Sequence, residues 1–214
     1  MNRPTLISLK VAVWLACLAP VCWLVWGAVT NNLGPDPTAA IAFATGLATL
    51  RLLTITLAIT PLRRLGAMLV PPVAPHLNWL IRFRRLLGLF AFFYATLHML
   101  TWVALYNNFD LHAMFIDVTR RRFIMAGMAA YLLLLPLALT STTWAIRKLG
   151  GKRWNRLHML IYFAAVCGVI HYWWQVKPGV LTPTTITVIL AVLLLARPAQ
   201  AFLQRRKARA AASV

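Results

Sequence analysis

Residues 84–106 read RRLLGLFAFFYATLHMLTWVALY: two arginines, then twenty-one residues, 86–106, without a Lys, Arg, Asp or Glu. About 20 apolar residues suffice for a helix to cross the hydrocarbon core of a bilayer. A helix satisfies every backbone N–H and C=O within itself, which lipid requires. The stretch therefore predicts a transmembrane helix, with one histidine, His98, deep inside it.

Five further stretches of the same kind flank it, at roughly 11–29, 39–60, 123–143, 157–174 and 180–197. The fold class that follows is an all-α membrane protein, a six-transmembrane-helix bundle. Residues 1–214 form a single domain, and 198–214 form a basic tail. The first stretch is too long for a signal-peptide core and has no clear cleavage site, so it is read as a helix. Gly34-Pro35-Asp36-Pro37 predicts a tight turn. Thr60-Pro61-Leu62-Arg63-Arg64 predicts the end of the second helix, because proline removes a helical hydrogen bond. Residues 65–81, with Pro71, Pro72 and Pro75, read as a loop on the membrane surface, and Gly150-Gly151 as the fourth connection. No internal repeat and no separate soluble domain are visible.

Composition agrees with lipid as part of the solvent. Hydrophobic residues make up 61% and charged residues 12%, against about a quarter charged in soluble proteins. The net charge is +19, from 22 Lys+Arg and 3 acids. Nucleic-acid binding is excluded because these cations gather between apolar stretches rather than along one face. On one side of the membrane only Arg120, Arg121, Arg122 and Lys177 are found, so the other side, with both termini, is expected to be cytoplasmic. Arg51 is left within the second span. The acids, Asp36, Asp110 and Asp117, all lie in connections. That argues against carboxylate proton pumping and against hydrolysis by paired carboxylates. Cys17, Cys22 and Cys167 have no CxxC or CxxCH spacing, which speaks against covalent haem, iron–sulfur clusters and structural zinc.

Histidine is rare within spans and marks a functional hypothesis. His98 lies 13 residues after Arg85, and His171 lies 15 after Arg156. At 1.5 Å per residue these are roughly 20 and 22 Å up two parallel helices, so one haem iron could take an axial nitrogen from each. His158 lies near the cytoplasmic face, 13 residues before His171 on the same span. An inner haem there lacks an obvious second ligand, because the matching positions on the third helix are Arg84 and Arg85. His76 from the loop, water or a single-ligand site stays open, as does a purely hydrogen-bonding role for His158. His76 and His112 read as solvated residues of connections. Arg51 and Arg85 are the candidates for a propionate or quinone contact, with snorkelling as the alternative for Arg51. Tyr94, Thr101, Trp102, Tyr162, Tyr172, Trp173 and Trp174 could line a macrocycle, although an interfacial belt explains the last two better.

These residues resemble a known family. The carriers are Thr56-Leu57-Ala58-Ile59-Thr60-Pro61-Leu62, the run from Arg84 to His98, Leu137-Ala138-Leu139-Thr140-Ser141, Trp154-Asn155-Arg156-Leu157-His158, and His171-Tyr172. In order and spacing, over about residues 10–197, they are similar to the MsrQ family. That family is the haem-binding membrane subunit of the bacterial periplasmic protein-methionine-sulfoxide reductase system, a relative of ferric reductase-like transmembrane domains. The resemblance implies a multi-pass protein of the bacterial inner membrane that binds haem b, with FMN also attributed to the family. It implies electrons from the quinone pool or a cytosolic flavin reductase. Their destination would be a periplasmic molybdopterin-containing subunit that reduces oxidised methionine. His98, His158 and His171 match the family's histidines. Some relatives carry a further histidine just before a Thr-Gly in the second helix. Here that stretch is Phe43-Ala44-Thr45-Gly46, which counts against a second bis-histidine haem.

No Gly-rich phosphate loop supports FMN independently. The function expected is a transmembrane one-electron relay, without a complete reaction on the final substrate. The rivals are a stand-alone metalloreductase, which would need a flavin domain, and a haem-free transporter or assembly factor, for which no inverted repeat or intramembrane acid speaks.

Overall fold

The computed structural model describes residues 3–70, 77–176 and 181–212. Six helices are long and apolar enough to cross a membrane: Pro4–Val29, Pro37–Leu69, Leu77–Tyr106, Arg122–Leu139, Gly151–Gln175 and Leu181–Gln200. The elements in order are α1 (Arg3–Val29), α2 (Pro37–Leu69), α3 (Ile81–Leu100), α4 (Leu111–Arg120), α5 (Arg122–Leu139), α6 (Thr143–Leu149), α7 (Gly151–Leu157), α8 (Leu160–Gln175) and α9 (Leu181–Ala212). Residues Thr101–Tyr106 prolong α3 as a π-helical segment. With six such helices among the described residues, alternating in direction, the start of α1 and the end of α9 share one end of the bundle.

Two helix pairs make the most extensive contacts, α2 with α3 and α5 with α8. They meet through small side chains. Ala91 of α3 and Ala164 of α8 are both fully buried, in one cluster with Leu53, Ala95 and Leu134. In lipid, close van der Waals approach of this kind is what holds helices together. Helix α9 covers α2 and α8 through Leu190 and Leu194, packed against Leu50, Leu57, Ala165 and Val169. Helix α1 lies on α2 and α3.

Pro20 interrupts the backbone ladder of α1, and Tyr94 of α3 repairs it. Its hydroxyl donates to the Cys17 carbonyl at 2.6 Å and accepts from the Val21 N–H at 3.2 Å. Replacing it by phenylalanine (Tyr94→Phe) is expected to cost about 1 kcal/mol. A lowered thermal midpoint in detergent, with absorption spectra unchanged, is the corresponding measurement. On α2 the hydroxyls of Thr45, Thr49, Thr54 and Thr56 donate back to carbonyls one turn earlier. They therefore need no water inside the bundle.

Several connections differ from the sequence expectation. Helix α2 does not end at Pro61 but runs through it to Leu69, and the Pro61 carbonyl accepts from Gln200 Nε2 of α9 at 3.2 Å. Residues 65–69 are thus helical, and 77–80 form a 3₁₀ turn into α3. His76, the three prolines 71, 72 and 75, and Lys177 lie outside the described residues. The fourth span stops at Leu139 rather than near 143, and the fifth begins at Gly151. His112 does lie in the connection between the third and fourth spans and is exposed, as expected; that connection is itself helical, as α4. The turn before α2 is as expected: Asp36 caps it by accepting from Ala39 N at 2.9 Å, with Pro37 at the first helical position. Gly150 joins α6 to α7 at φ 73°, a left-handed value that favours glycine.

Candidate functional site

A cavity of about 450 Å³ opens among α2, α3, α5 and α8, in the half of the bundle away from the termini. Its size lies within the range of cofactor pockets. The wall is mostly apolar, with Phe43, Leu50, Leu53, Met99, Met128 and Leu134 among its members. His98 of α3 and His171 of α8 both line it. Their ring centroids are 5.8 Å apart and their planes cross at 81°.

Each imidazole is held by the same device. His98 Nδ1 donates to the Ala42 carbonyl of α2 at 2.8 Å, and His171 Nδ1 donates to the Phe123 carbonyl of α5 at 2.6 Å. A carbonyl can only accept, so Nδ1 carries the proton in both rings. The lone pair is then on Nε2, the nitrogen left for a metal. Four residues after each carbonyl comes a glycine against which the ring lies. A Cβ at Gly46 would fall 3.1 Å from His98 Cε1, and one at Gly127 would fall 2.7 Å from His171 Nδ1. The pairs α2/α3 and α5/α8 thus repeat one local design, although the sequence shows no repeat.

Two imidazoles sharing one metal through bonds of about 2 Å put their centroids roughly 6 Å apart. The observed 5.8 Å, the free Nε2 atoms and the apolar walls fit an iron porphyrin with two histidine ligands. A carbonyl accepting from the far ring nitrogen is the usual companion of metal-bound histidine.

The rim away from the termini carries the polar groups. Beyond His98 the π-helical segment changes the register of the helix, and Trp102 and Tyr106 both line the cavity. Such segments are frequent at functional sites. Trp102 Nε1 donates to Asp117 Oδ2 at 3.2 Å, and Asp117 Oδ1 pairs with Arg121 Nε at 3.0 Å. Asp117 and Arg121 both line the cavity.

His158 is elsewhere. It sits at the joint between α7 and α8, stacked on Trp154 with centroids 3.8 Å apart, and its Nε2 is 3.2 Å from the Thr140 hydroxyl. That hydroxyl donates to the Pro136 carbonyl, so the imidazole acts as donor to it. Arg84 lies within electrostatic range. Neither Arg51 nor Arg85 lines the cavity, and both are exposed. The reason for Arg51 is rotation: Leu50 and Leu53 face the cavity, and a step of about 100° per residue turns position 51 away from them. Of the aromatic candidates, Trp102 and Tyr172 line the cavity, Tyr94 serves α1, and Trp173 and Trp174 are exposed. Sequence reading missed Arg121, the two glycines and the two carbonyls. For the glycines the sequence offered no distinguishing signal, because five of the six expected spans carry one.

This arrangement defines a class, a helical membrane protein with two facing histidines on separate spans. The family described as "Ferric reductase like transmembrane component" matches residues 45–169, more than half of the chain. The chain is 44% identical over 208 residues, covering 96% of it and 91% of the relative, to a protein of Herminiimonas arsenicoxydans. It is 44% identical over 186 residues to one of Ralstonia nicotianae, covering 87% and 81% respectively. A protein of Rhodospirillum rubrum is 43% identical over 201 residues, covering 94% and 92%. All three are named protein-methionine-sulfoxide reductase heme-binding subunit MsrQ. The chain belongs to the MsrQ family, within the ferric reductase-like transmembrane proteins.

Proposed function

We propose that this chain is a haem-binding electron-transfer subunit of a methionine-sulfoxide reductase system, with His98 and His171 as axial ligands of one haem b. The observation that carries the reading is the pair of imidazoles 5.8 Å apart, each with Nδ1 fixed on a carbonyl and Nε2 free. Bound haem supplies a one-electron carrier that cycles between ferric and ferrous iron. The chain's own residues do the rest. Ala42 and Phe123 hold the ligands' tautomer, and the apolar wall excludes water. Arg121, the cation on the cavity wall, is placed to meet a propionate.

In this reading both termini are cytoplasmic, the membrane is the bacterial inner membrane, and the cavity rim faces the periplasm. The arginines of the connections support that orientation. Electrons enter from quinol or a cytosolic flavin reductase. They leave at the rim for a periplasmic molybdopterin-containing subunit that reduces methionine sulfoxide. His158, at the joint between α7 and α8, belongs to the entry side, where an inner haem or FMN would be held.

Reduced-minus-oxidised spectra of the purified protein test the proposal. The expected result is a low-spin b-type spectrum with at least one haem per chain. Absence of visible absorption after haem-sufficient growth would overturn it and favour a haem-free transporter or assembly factor.

A further inference from the structure

Arg120, Arg121 and Arg122 follow one another at the cavity rim, between α4 and α5. The next residue is Phe123, whose carbonyl accepts from His171. Arg121 is committed to Asp117. Arg120 and Arg122 are exposed, and no ion pair involves them among the described residues. The chain has no acid to spare for them. Asp117 is taken by Arg121 and Trp102, Asp110 caps α4 through His112 N and Ala113 N, and Asp36 caps α2. The start of α5 has no side-chain cap, so its unpaired N–H groups add positive partial charge to the same place. Cations on this side of the membrane also run against the charge asymmetry of the rest of the chain.

We infer that Arg120 and Arg122 form a docking patch for an electron-accepting protein whose surface around its redox centre is acidic. The inference rests on the cavity being the haem site, because only then does the patch border the point where electrons leave. Positive charge there steers an anionic partner and holds its redox centre against the rim. Arg121 lines the cavity, and its two exposed neighbours are left for the partner.

The test uses haem-loaded full-length protein in nanodiscs of zwitterionic lipid. The protein is reduced with dithionite, freed of excess reductant, and mixed in a stopped-flow with ferricyanide or with hexaammineruthenium(III). Each oxidant takes one electron from the reduced protein, giving ferrocyanide or hexaammineruthenium(II). The double variant R120E/R122E should keep the reduced-minus-oxidised spectrum of the parent. At low salt it should be oxidised about ten-fold more slowly by the anion and faster by the cation, and the differences should vanish at high salt. Equal rates for variant and parent with both oxidants would overturn the inference. A second arm uses nanodiscs containing phosphatidylglycerol. If parent and variant are oxidised by ferricyanide at equal rates in these nanodiscs while differing in zwitterionic ones, lipid headgroups cover the patch, and the docking role is lost. A parent protein without a Soret band would instead defeat the reading of the cavity, and this inference with it.

Discussion

Gly127→Val is expected to strip haem from the protein almost as completely as His171→Ala does. The expectation is notable because position 127 supplies no ligand and valine adds only carbon. A Cβ there lies 2.7 Å from His171 Nδ1 and 3.0 Å from Cε1, closer than van der Waals contact permits. The ring must leave, and with it goes the 2.6 Å hydrogen bond to Phe123. An imidazole without that bond is free to turn its protonated nitrogen toward the cavity, and a nitrogen bearing a proton cannot bind iron. The case of His171→Ala is simpler, since it removes the proposed ligand itself. Pyridine haemochrome assay of both purified variants should give well under half the parent's haem per chain. At Gly46 the corresponding distance is 3.1 Å to Cε1 of His98. There Gly46→Ala should retain haem with a perturbed spectrum, because a shift of a few tenths of an ångström relieves the contact. Parental haem content in Gly127→Val would show that the carbonyl–glycine device does not position the ligand.

The second large effect is expected at Ala164. Its side chain is fully buried, it lines the cavity, and it packs in one cluster with Ala91 and Leu53. Ala164→Leu adds three carbons between the packed cluster and the cavity. Turned into the cluster they overpack it, at a cost of about 1–3 kcal/mol, and push α8 away from Leu53 and Ala91; turned into the cavity they take up room that the macrocycle needs. The variant should therefore lose both thermal stability and low-spin haem, whereas Leu195→Ala, at an exposed position on α9, should lose neither. A stable Ala164→Leu protein with a parental spectrum would contradict the packing account.

How much of this was legible in the sequence depends on which dimension of the helix is asked about. Rise per residue is fixed, so counting from Arg85 and Arg156 was enough to place His98 and His171 at one height. Apolar length was enough to find six spans. Azimuth was harder. Arg51 looked like a buried cation by position, and only the packing of α2 against α3 shows that it faces outward while Leu50 and Leu53 face the cavity. Pro61 looked like a terminus, but α2 continues past it, with its carbonyl met by Gln200 from a helix 139 residues away in sequence. The two glycines were invisible for a related reason. Gly46 matters because of His98 and Gly127 because of His171, and each pairing exists only once two helices have come together. Arg121 was read as one of a topologically awkward group of charges. Its place at the rim follows from the ion pair with Asp117, a contact within one turn whose direction the sequence does not reveal.

The duplicated clamp has a last consequence for assembly. Haem b has two unlike faces, distinguished by the order of its vinyl and methyl substituents. The clamp offers each face the same welcome: an imidazole, a carbonyl behind it and a glycine beside it. With the two imidazoles as ligands, as proposed, iron ligation would not decide which way round the macrocycle is inserted. That choice would fall to the parts of the pocket that the clamp does not repeat, Arg121 and Trp102 among them, so handedness of insertion would be governed by the wall and not by the metal.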